Sequence, residues 1–253
     1  MNSQLWMGLG LPLAGTVLGS ALVFVLRGAI PQKTEKAMLG FAAGVMTAAS
    51  IFSLILPAME QSGWIPATAG FLIGIGFLLL LDEIVPHMHV MSEEAEGLPT
   101  PWSRTTKLFF AITLHNLPEG MAVGVVLAGV LDGSTAMSAA AALALSLGIA
   151  LQNVPEGAVL SMPLHADGMS KSRAFWFGAL SGVIEPIGAG LTILCRSWIQ
   201  PFLPWLLAFA AGAMLYVVVE ELVPQSQAGK HSNIGTVAFA LGFAAMMVLD
   251  SAL

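Results

Sequence analysis

Residues 108–127 read LFFAITLHNLPEGMAVGVVL, and residues 143–162 read LALSLGIALQNVPEGAVLSM. Each is long and apolar enough for one bilayer crossing, which takes about 20 residues. Each carries a related polar insert: His115-Asn116-Leu117-Pro118-Glu119-Gly120 in the first, Gln152-Asn153-Val154-Pro155-Glu156-Gly157 in the second. A carboxylate inside hydrocarbon costs about 3 kcal/mol or more and marks a functional position by default. Finding the pattern twice makes chance a poor explanation.

The rest of the chain has the same character. It is 57% hydrophobic and 9% charged, with a mean hydropathy of +0.84. A soluble domain carries about a quarter charged residues, so this chain lacks the polar surface to stay in water. No nucleic-acid partner is expected of nine basic residues and a net charge of −6. The single cysteine, Cys195, excludes an intrachain disulfide and reads as a small buried apolar residue. The first apolar stretch, 5–26, has no basic residue ahead of it and is longer than a signal-peptide core, so it reads as a retained span.

Hydropathy yields eight spans at about 5–26, 37–59, 64–85, 106–130, 135–163, 172–196, 201–224 and 233–252. The fold class is therefore all-α: a polytopic transmembrane bundle in one domain, 1–253, with metal sites expected at mid-membrane between the fourth, fifth and sixth helices. The basic residues orient it. Arg27, Lys33, Lys36, Arg104, Lys107, Lys171, Arg173 and Lys230 fall in odd-numbered loops, and only Arg196 lies on the other side. By the positive-inside rule the odd loops are cytoplasmic and both termini are outside.

The longest loop, 86–105, is cytoplasmic on this assignment. It holds His87, His89, Glu93, Glu94 and Glu96, followed by Gly97, Pro99 and Pro101. Its composition is that of a mobile polar segment. His-x-His beside carboxylates can hold a transition metal loosely; a solvated hairpin is the alternative.

On a helix, His115 and Glu119 share a face one turn apart, as do Gln152 and Glu156. Asn116 with Glu119, and Asn153 with Glu156, are i, i+3 pairs on the adjoining face. Each glutamate can therefore serve two neighbouring positions. Pro118 and Pro155 cannot donate to the carbonyls of Leu114 and Leu151, which frees an acceptor beside each set and predicts a kink. Gly120 and Gly157 permit close backbone approach. The short connection around Leu131–Ser134 makes the fourth and fifth spans antiparallel neighbours, with their motifs facing across an approximate two-fold axis. A third carboxylate, Glu185, lies beside Pro186 in the sixth span.

Three full negative charges in hydrocarbon require protons or cations. Two divalent ions shared through Glu119 and Glu156 would bring four positive charges against three negative. One imidazole with carboxylate and amide oxygens, and no thiolate, suits Zn²⁺, Fe²⁺, Mn²⁺, Co²⁺ or Cd²⁺ rather than Cu⁺. A carboxylate-only cage would have pointed to Ca²⁺ or Mg²⁺. Taken singly, Asn116, Asn153 and Gln152 could be interhelical hydrogen-bonding groups, His115 a satisfied polar residue, and Glu185 part of a proton network. Taken together they read as metal ligands.

The motif pair, in the fourth and fifth of eight spans, resembles the ZIP family of divalent-metal transporters, most closely its prokaryotic ZupT/GufA-type branch. The resemblance implies one metal site at His115, Glu119, Gln152 and Glu156. It implies a second at Asn116, Asn153 and Glu185, bridged by Glu119 and Glu156. Some relatives have aspartate in place of Asn153. The resemblance also implies a thioether at Met46 near the first site; a core methionine is the alternative, and the residue alone favours it. Glu60 corresponds to an acidic entrance residue, and Glu220 and Glu221 to accessory positions on the cytoplasmic exit path; solvated helix-end carboxylates are the alternative for all three. A homodimer in the inner (plasma) membrane and inverted symmetry between the first three and last three helices are further implications.

The expected function is import of divalent transition metals, zinc first and also iron, manganese, cobalt and cadmium, with no prosthetic group. An intramembrane zinc enzyme would need an open coordination position and a general base, and the chain has no His-Glu-x-x-His. A metal-sensing receptor would normally carry a soluble signalling domain, and every loop here is short. No Gly-x-x-x-x-Gly-Lys-Ser/Thr motif supports ATP coupling within the chain.

Overall fold

A bilayer core offers the backbone no water, so each crossing must satisfy its own N–H and C=O groups, and a helix does so. The computed structural model describes residues 2–26, 28, 30–88, 95–133 and 137–253. It is 85% helical, with no strand among the described residues. Eight helices are long and apolar enough to cross a membrane: α1 Leu5–Val25, α2 Gln32–Ser62, α3 Trp64–Ile84, α4 Arg104–Leu131, α5 Ala139–Ala166, α6 Lys171–Leu194, α7 Arg196–Gln227 and α8 Ile234–Ala252. α2 and α7 begin earlier than hydropathy implies, because their polar first turns continue the helix. α5 begins later, where Ser138 caps it by accepting from Ala141 N at 2.9 Å. Ser103 and Ser170 cap α4 and α6 in the same way. α4 and α5 run unbroken through Pro118 and Pro155. α6 is interrupted between Ser181 and Ile184.

The helices associate chiefly in four pairs: α1 with α5, α2 with α8, α3 with α7, and α4 with α6. Each pair is seated on two glycines four residues apart. These are Gly15 and Gly19 on α1, Gly40 and Gly44 on α2, Gly70 and Gly74 on α3, and Gly120 and Gly124 on α4. A Cβ at any of them would run into backbone of the partner helix. Lipid gives helices no hydrophobic reason to associate, so close backbone packing of this kind holds the bundle together. Exchanging α1 with α6, α2 with α7, α3 with α8 and α4 with α5 maps the four pairs onto themselves. Equivalent helices lie an odd number of crossings apart, five for the first three exchanges and one for α4 with α5, and so run in opposite directions, which is the mark of an inverted repeat.

The repeat extends to local distortions. α2 contains a π-helical segment, Ser50–Ile55, and α7 another, Val218–Leu222. Pro57 and Pro224 follow them closely. Each proline lacks an N–H for the carbonyl one turn back, and the helix widens there.

The main apolar core lies between the helices, with Leu54, Leu145, Ile149, Leu207 and Met214 fully enclosed. The outer faces stay apolar, with Leu18, Leu72, Leu191 and Leu241 exposed. Trp6, Trp64 and Trp198 stand exposed at the starts of α1, α3 and α7, which share one face of the bundle. Trp102 and Trp176 stand near the starts of α4 and α6 on the other. Such aromatic belts mark the two membrane–water boundaries. Cys195 corrects an expectation of burial: it is exposed, because it ends α6 at the turn into α7 rather than packing inside a span.

Candidate metal site

The unbroken α4 and α5 bring the two motifs together as their spacing requires. Gln152 Nε2 donates to Glu119 Oε1 at 2.7 Å across the helix pair. Both side chains are fully buried. Glu185 joins from α6: it lies in the first turn after the break at Gly182 and Val183, and is buried. Gly120 sets that approach, since a Cβ there would meet the backbone of Glu185. Glu119, Glu156, Glu185 and Glu221 are all buried, and Glu156 and Glu221 line one cleft.

The amides divide their atoms between two tasks. Asn116 Nδ2 donates to the Ser181 carbonyl at 3.3 Å, and Asn153 Nδ2 to the Pro12 carbonyl at 3.2 Å. These are the interhelical bonds that the structural alternative foresaw. The oxygens are left over. Asn116 Oδ1, Glu119 Oε2, Gln152 Oε1, Asn153 Oδ1, Glu156 Oε1 and Glu185 Oε2 are all buried without a hydrogen-bond partner. Native proteins satisfy nearly all such atoms, and each exception calls for a reason. These six orphaned acceptors lie on six of the seven residues named by the doubled motif and the third glutamate, and together they could hold a cation.

His115 completes the group. Its Nδ1 contacts Glu221 Oε2, and Gln225 Nε2 donates to Glu221 Oε1 at 3.1 Å. A carboxylate on Nδ1 makes Nε2 the lone-pair nitrogen of that tautomer, the usual arrangement behind a metal-binding imidazole. Glu221 thus touches the site directly, where the sequence suggested only an accessory role. The widened π turn of α7 carries it there. Its neighbour Glu220 is exposed, as is Glu60 near the end of α2. A cleft lined by Leu39, His115, Glu156, Val159, Glu221 and Gln225 leads from the site toward the face that carries the basic loops. Met46 is buried in the main core, on the same face of α2 as Leu39 and two turns farther along.

A second cluster lies at the end of α3. His87 is fully buried, with Nδ1 2.8 Å from the Val85 carbonyl and Nε2 3.0 Å from Asp82 Oδ1. An antiparallel bridge to Glu96 brings Glu96 Oε2 to 3.8 Å from the same nitrogen. One ligand-type atom from each of Asp82, His87 and Glu96 lies within 4.8 Å of the others. Tyr216 of α7 donates to Asp82 Oδ2 at 2.8 Å. His89, Glu93 and Glu94 lie outside the described residues.

Asp82, Tyr216 and Gln225 were not singled out from the sequence. Nor was Thr16, whose hydroxyl donates to Glu185 Oε1 at 3.0 Å. The available signal for Thr16 was its place between Gly15 and Gly19, where a polar side chain faces the partner helix.

Comparison with known proteins identifies the family. Residues 102–250, which include both motifs and Glu185, match the ZIP zinc transporter family. Over 98% of its length the chain is 37% identical to the whole of zinc transporter GufA from Myxococcus xanthus. It is 39% identical to zinc transporter ZIPB from Bordetella bronchiseptica over 95% of this chain and 78% of that one. Zinc transporter ZIP11 from Homo sapiens is 32% identical over 93% of each chain. A transporter family of this kind also disposes of the intramembrane-enzyme alternative, and the eight apolar helices suit a multi-pass membrane protein. With the doubled motif, the eight crossings and these relatives in agreement, the chain belongs to the ZIP family of metal transporters, on its prokaryotic side.

Proposed function

We propose that the protein carries divalent transition metals, zinc first among them, into the cytoplasm across the inner (plasma) membrane. The cargo binds a binuclear-type site made by His115, Asn116, Glu119, Gln152, Asn153, Glu156 and Glu185. The observation that carries this reading is the set of six buried, unpartnered oxygens on these residues. Such atoms are costly in a low-dielectric interior unless a cation meets them. Imidazole and single oxygens favour transition metals over the oxygen cages of Ca²⁺ and Mg²⁺, which admits iron, manganese, cobalt and cadmium beside zinc. Relatives named zinc transporters support zinc as the leading cargo.

The path is read from the same side chains. Glu60 collects cations at the outer end of α2, and Met46 offers a thioether above the first site. The cleft past His115, Glu156 and Glu221, with Glu220 beside it, leads out to the cytoplasmic face. α1, α4, α5 and α6 pack largely on one another, as do α2, α3, α7 and α8. A rearrangement of one group against the other opens the site to alternate sides. Both termini lie outside, and the chain works as a homodimer.

Competition tests the cargo. Uptake of labelled zinc into membrane vesicles containing the protein is expected to saturate and to fall with added Fe²⁺, Mn²⁺ or Cd²⁺, but not with Mg²⁺ at the same concentration. Equal suppression by Mg²⁺ would rule out a transition-metal site.

At the end of α3 and in the loop that follows it, we assign Asp82, His87 and Glu96 as an accessory metal position on the cytoplasmic face. Replacing His87 with Ala is expected to lower the amount of zinc bound at equilibrium by about one ion per chain, since an imidazole is the strongest ligand of the three. Unchanged stoichiometry in equilibrium dialysis would rule the position out.

A further inference from the structure

α1 carries no motif residue, yet it touches two of the metal ligands. Thr16 is almost fully buried. Its hydroxyl donates to Glu185 Oε1 at 3.0 Å, and the Pro12 carbonyl one turn back lies 3.4 Å from the same hydroxyl. That Pro12 carbonyl also accepts from Asn153 Nδ2 at 3.2 Å. One turn of α1 therefore holds a carboxylate from α6 and an amide from α5.

The packing around this turn is built to hold it. Gly15 and Gly19 seat α1 against the backbone of Ala150 and Val154, which flank Gln152 and Asn153. Gly157 faces the Thr16 carbonyl. Gly182, at the break in α6, faces the Thr16 side chain so closely that a Cβ there would lie 2.8 Å from both Thr16 Cβ and Oγ1. Thr16 is thus closely packed between α5 and α6.

The consequence lies in what remains exposed to a cation. With Oε1 held by Thr16, Glu185 presents Oε2. With Nδ2 held by Pro12, Asn153 presents Oδ1. Both of these oxygens are buried and unpartnered. We infer that Thr16 and the Pro12 carbonyl of α1 are positioning groups for the second metal position, fixing Glu185 and Asn153 so that each offers one defined oxygen to the ion. The inference rests on the reading of Asn153 and Glu185 as metal ligands. Groups that orient a ligand in this way typically contribute about 10–100-fold to metal affinity.

Thr16→Val keeps the shape and removes the hydroxyl, Thr16→Ser keeps the hydroxyl and removes a methyl, and Gly182→Ala pushes on Thr16 from α6. Zinc uptake is measured for each in vesicles at matched amounts of inserted protein, beside wild type and Glu119→Ala. The expected result is a KM about tenfold or more above wild type for Thr16→Val and Gly182→Ala. Vmax should change little, and Thr16→Ser should stay close to wild type. A wild-type KM in Thr16→Val would overturn the inference. So would Thr16→Ser behaving like Thr16→Val, since that would make the role one of packing. Both results leave the transport reading intact, because wild type and Glu119→Ala still differ. Absence of any difference between those two controls would overturn the transport reading itself, and this inference with it.

Discussion

Glu119→Gln and Glu156→Gln are expected to fold, to insert and, in metal-free buffer, to unfold at or above the wild-type temperature, yet to gain no stability from zinc. The wild-type protein buries Glu119 Oε2 and Glu156 Oε1 without partners. An unpaired buried carboxylate opposes folding, and a neutral side chain of similar volume relieves that cost. At position 119 the new amide carbonyl can still accept from Gln152 Nε2. A ligand that binds only the folded state at a hundred times its Kd stabilises by about 2.7 kcal/mol, which for a chain of this size is roughly 5–10 °C. Wild type should show that shift with zinc, and both variants should lose it. A thermal unfolding series in detergent decides the matter. Variants less stable than wild type without metal, and equally stabilised by zinc, would show that these carboxylates are structural.

The second large effect concerns the glycines that seat the helix pairs. Gly74→Leu on α3 and Gly44→Leu on α2 are expected to abolish folded protein or to destabilise it by about 3 kcal/mol or more. Their Cβ atoms would enter the space of the Phe209 and Phe239 carbonyls, and lipid offers no driving force to pull the separated helices back together. Gly76 is the internal control. It lies on the same helix as Gly74, but a Cβ there meets nothing within 4 Å, so Gly76→Leu should leave the protein intact. Yields of monodisperse protein and their melting temperatures distinguish the two. A Gly74→Leu protein as stable as Gly76→Leu would mean that close backbone contact does not hold α3 to α7.

Most of the architecture was legible because bilayer thickness turns hydropathy into a count of crossings. The eight spans emerged from that count, and their ends shifted where polar first turns such as Gln32–Lys36 extend a helix or where Ser138 caps α5. The pairing of helices was written in the glycines four residues apart on α1 to α4, but hydropathy is blind to a glycine's partner. Only the assembled backbone shows that Gly40 and Gly44 meet α8 while Gly70 and Gly74 meet α7. The π turns were hidden for a related reason. Pro57 and Pro224 announce a disturbed helix, but not whether it kinks or widens. Pro118 and Pro155, read as kinks, lie in helices that continue through them.

The candidate site divides the same way. Its motif residues on α4 and α5 were legible because helix periodicity alone puts them on one face. Glu185 was legible as a charge with no business in a span. Thr16 and Asp82 were not, because a threonine in a helix and an acid at a helix end are each unremarkable until tertiary contacts define them. Glu221 illustrates the limit: its sequence position suggested an exit path, but only the assembled structure shows that the π turn of α7 also brings it onto His115.

The proposed function requires this chain, unaided, to move zinc through the doubled motif. Purified protein reconstituted into sealed proteoliposomes, loaded with a zinc indicator and given external zinc, tests it most directly. Saturable entry is expected in wild type, and none above protein-free vesicles in Glu119→Ala of verified insertion. Entry in Glu119→Ala at the wild-type rate, or no entry of zinc or iron in wild type, would contradict it.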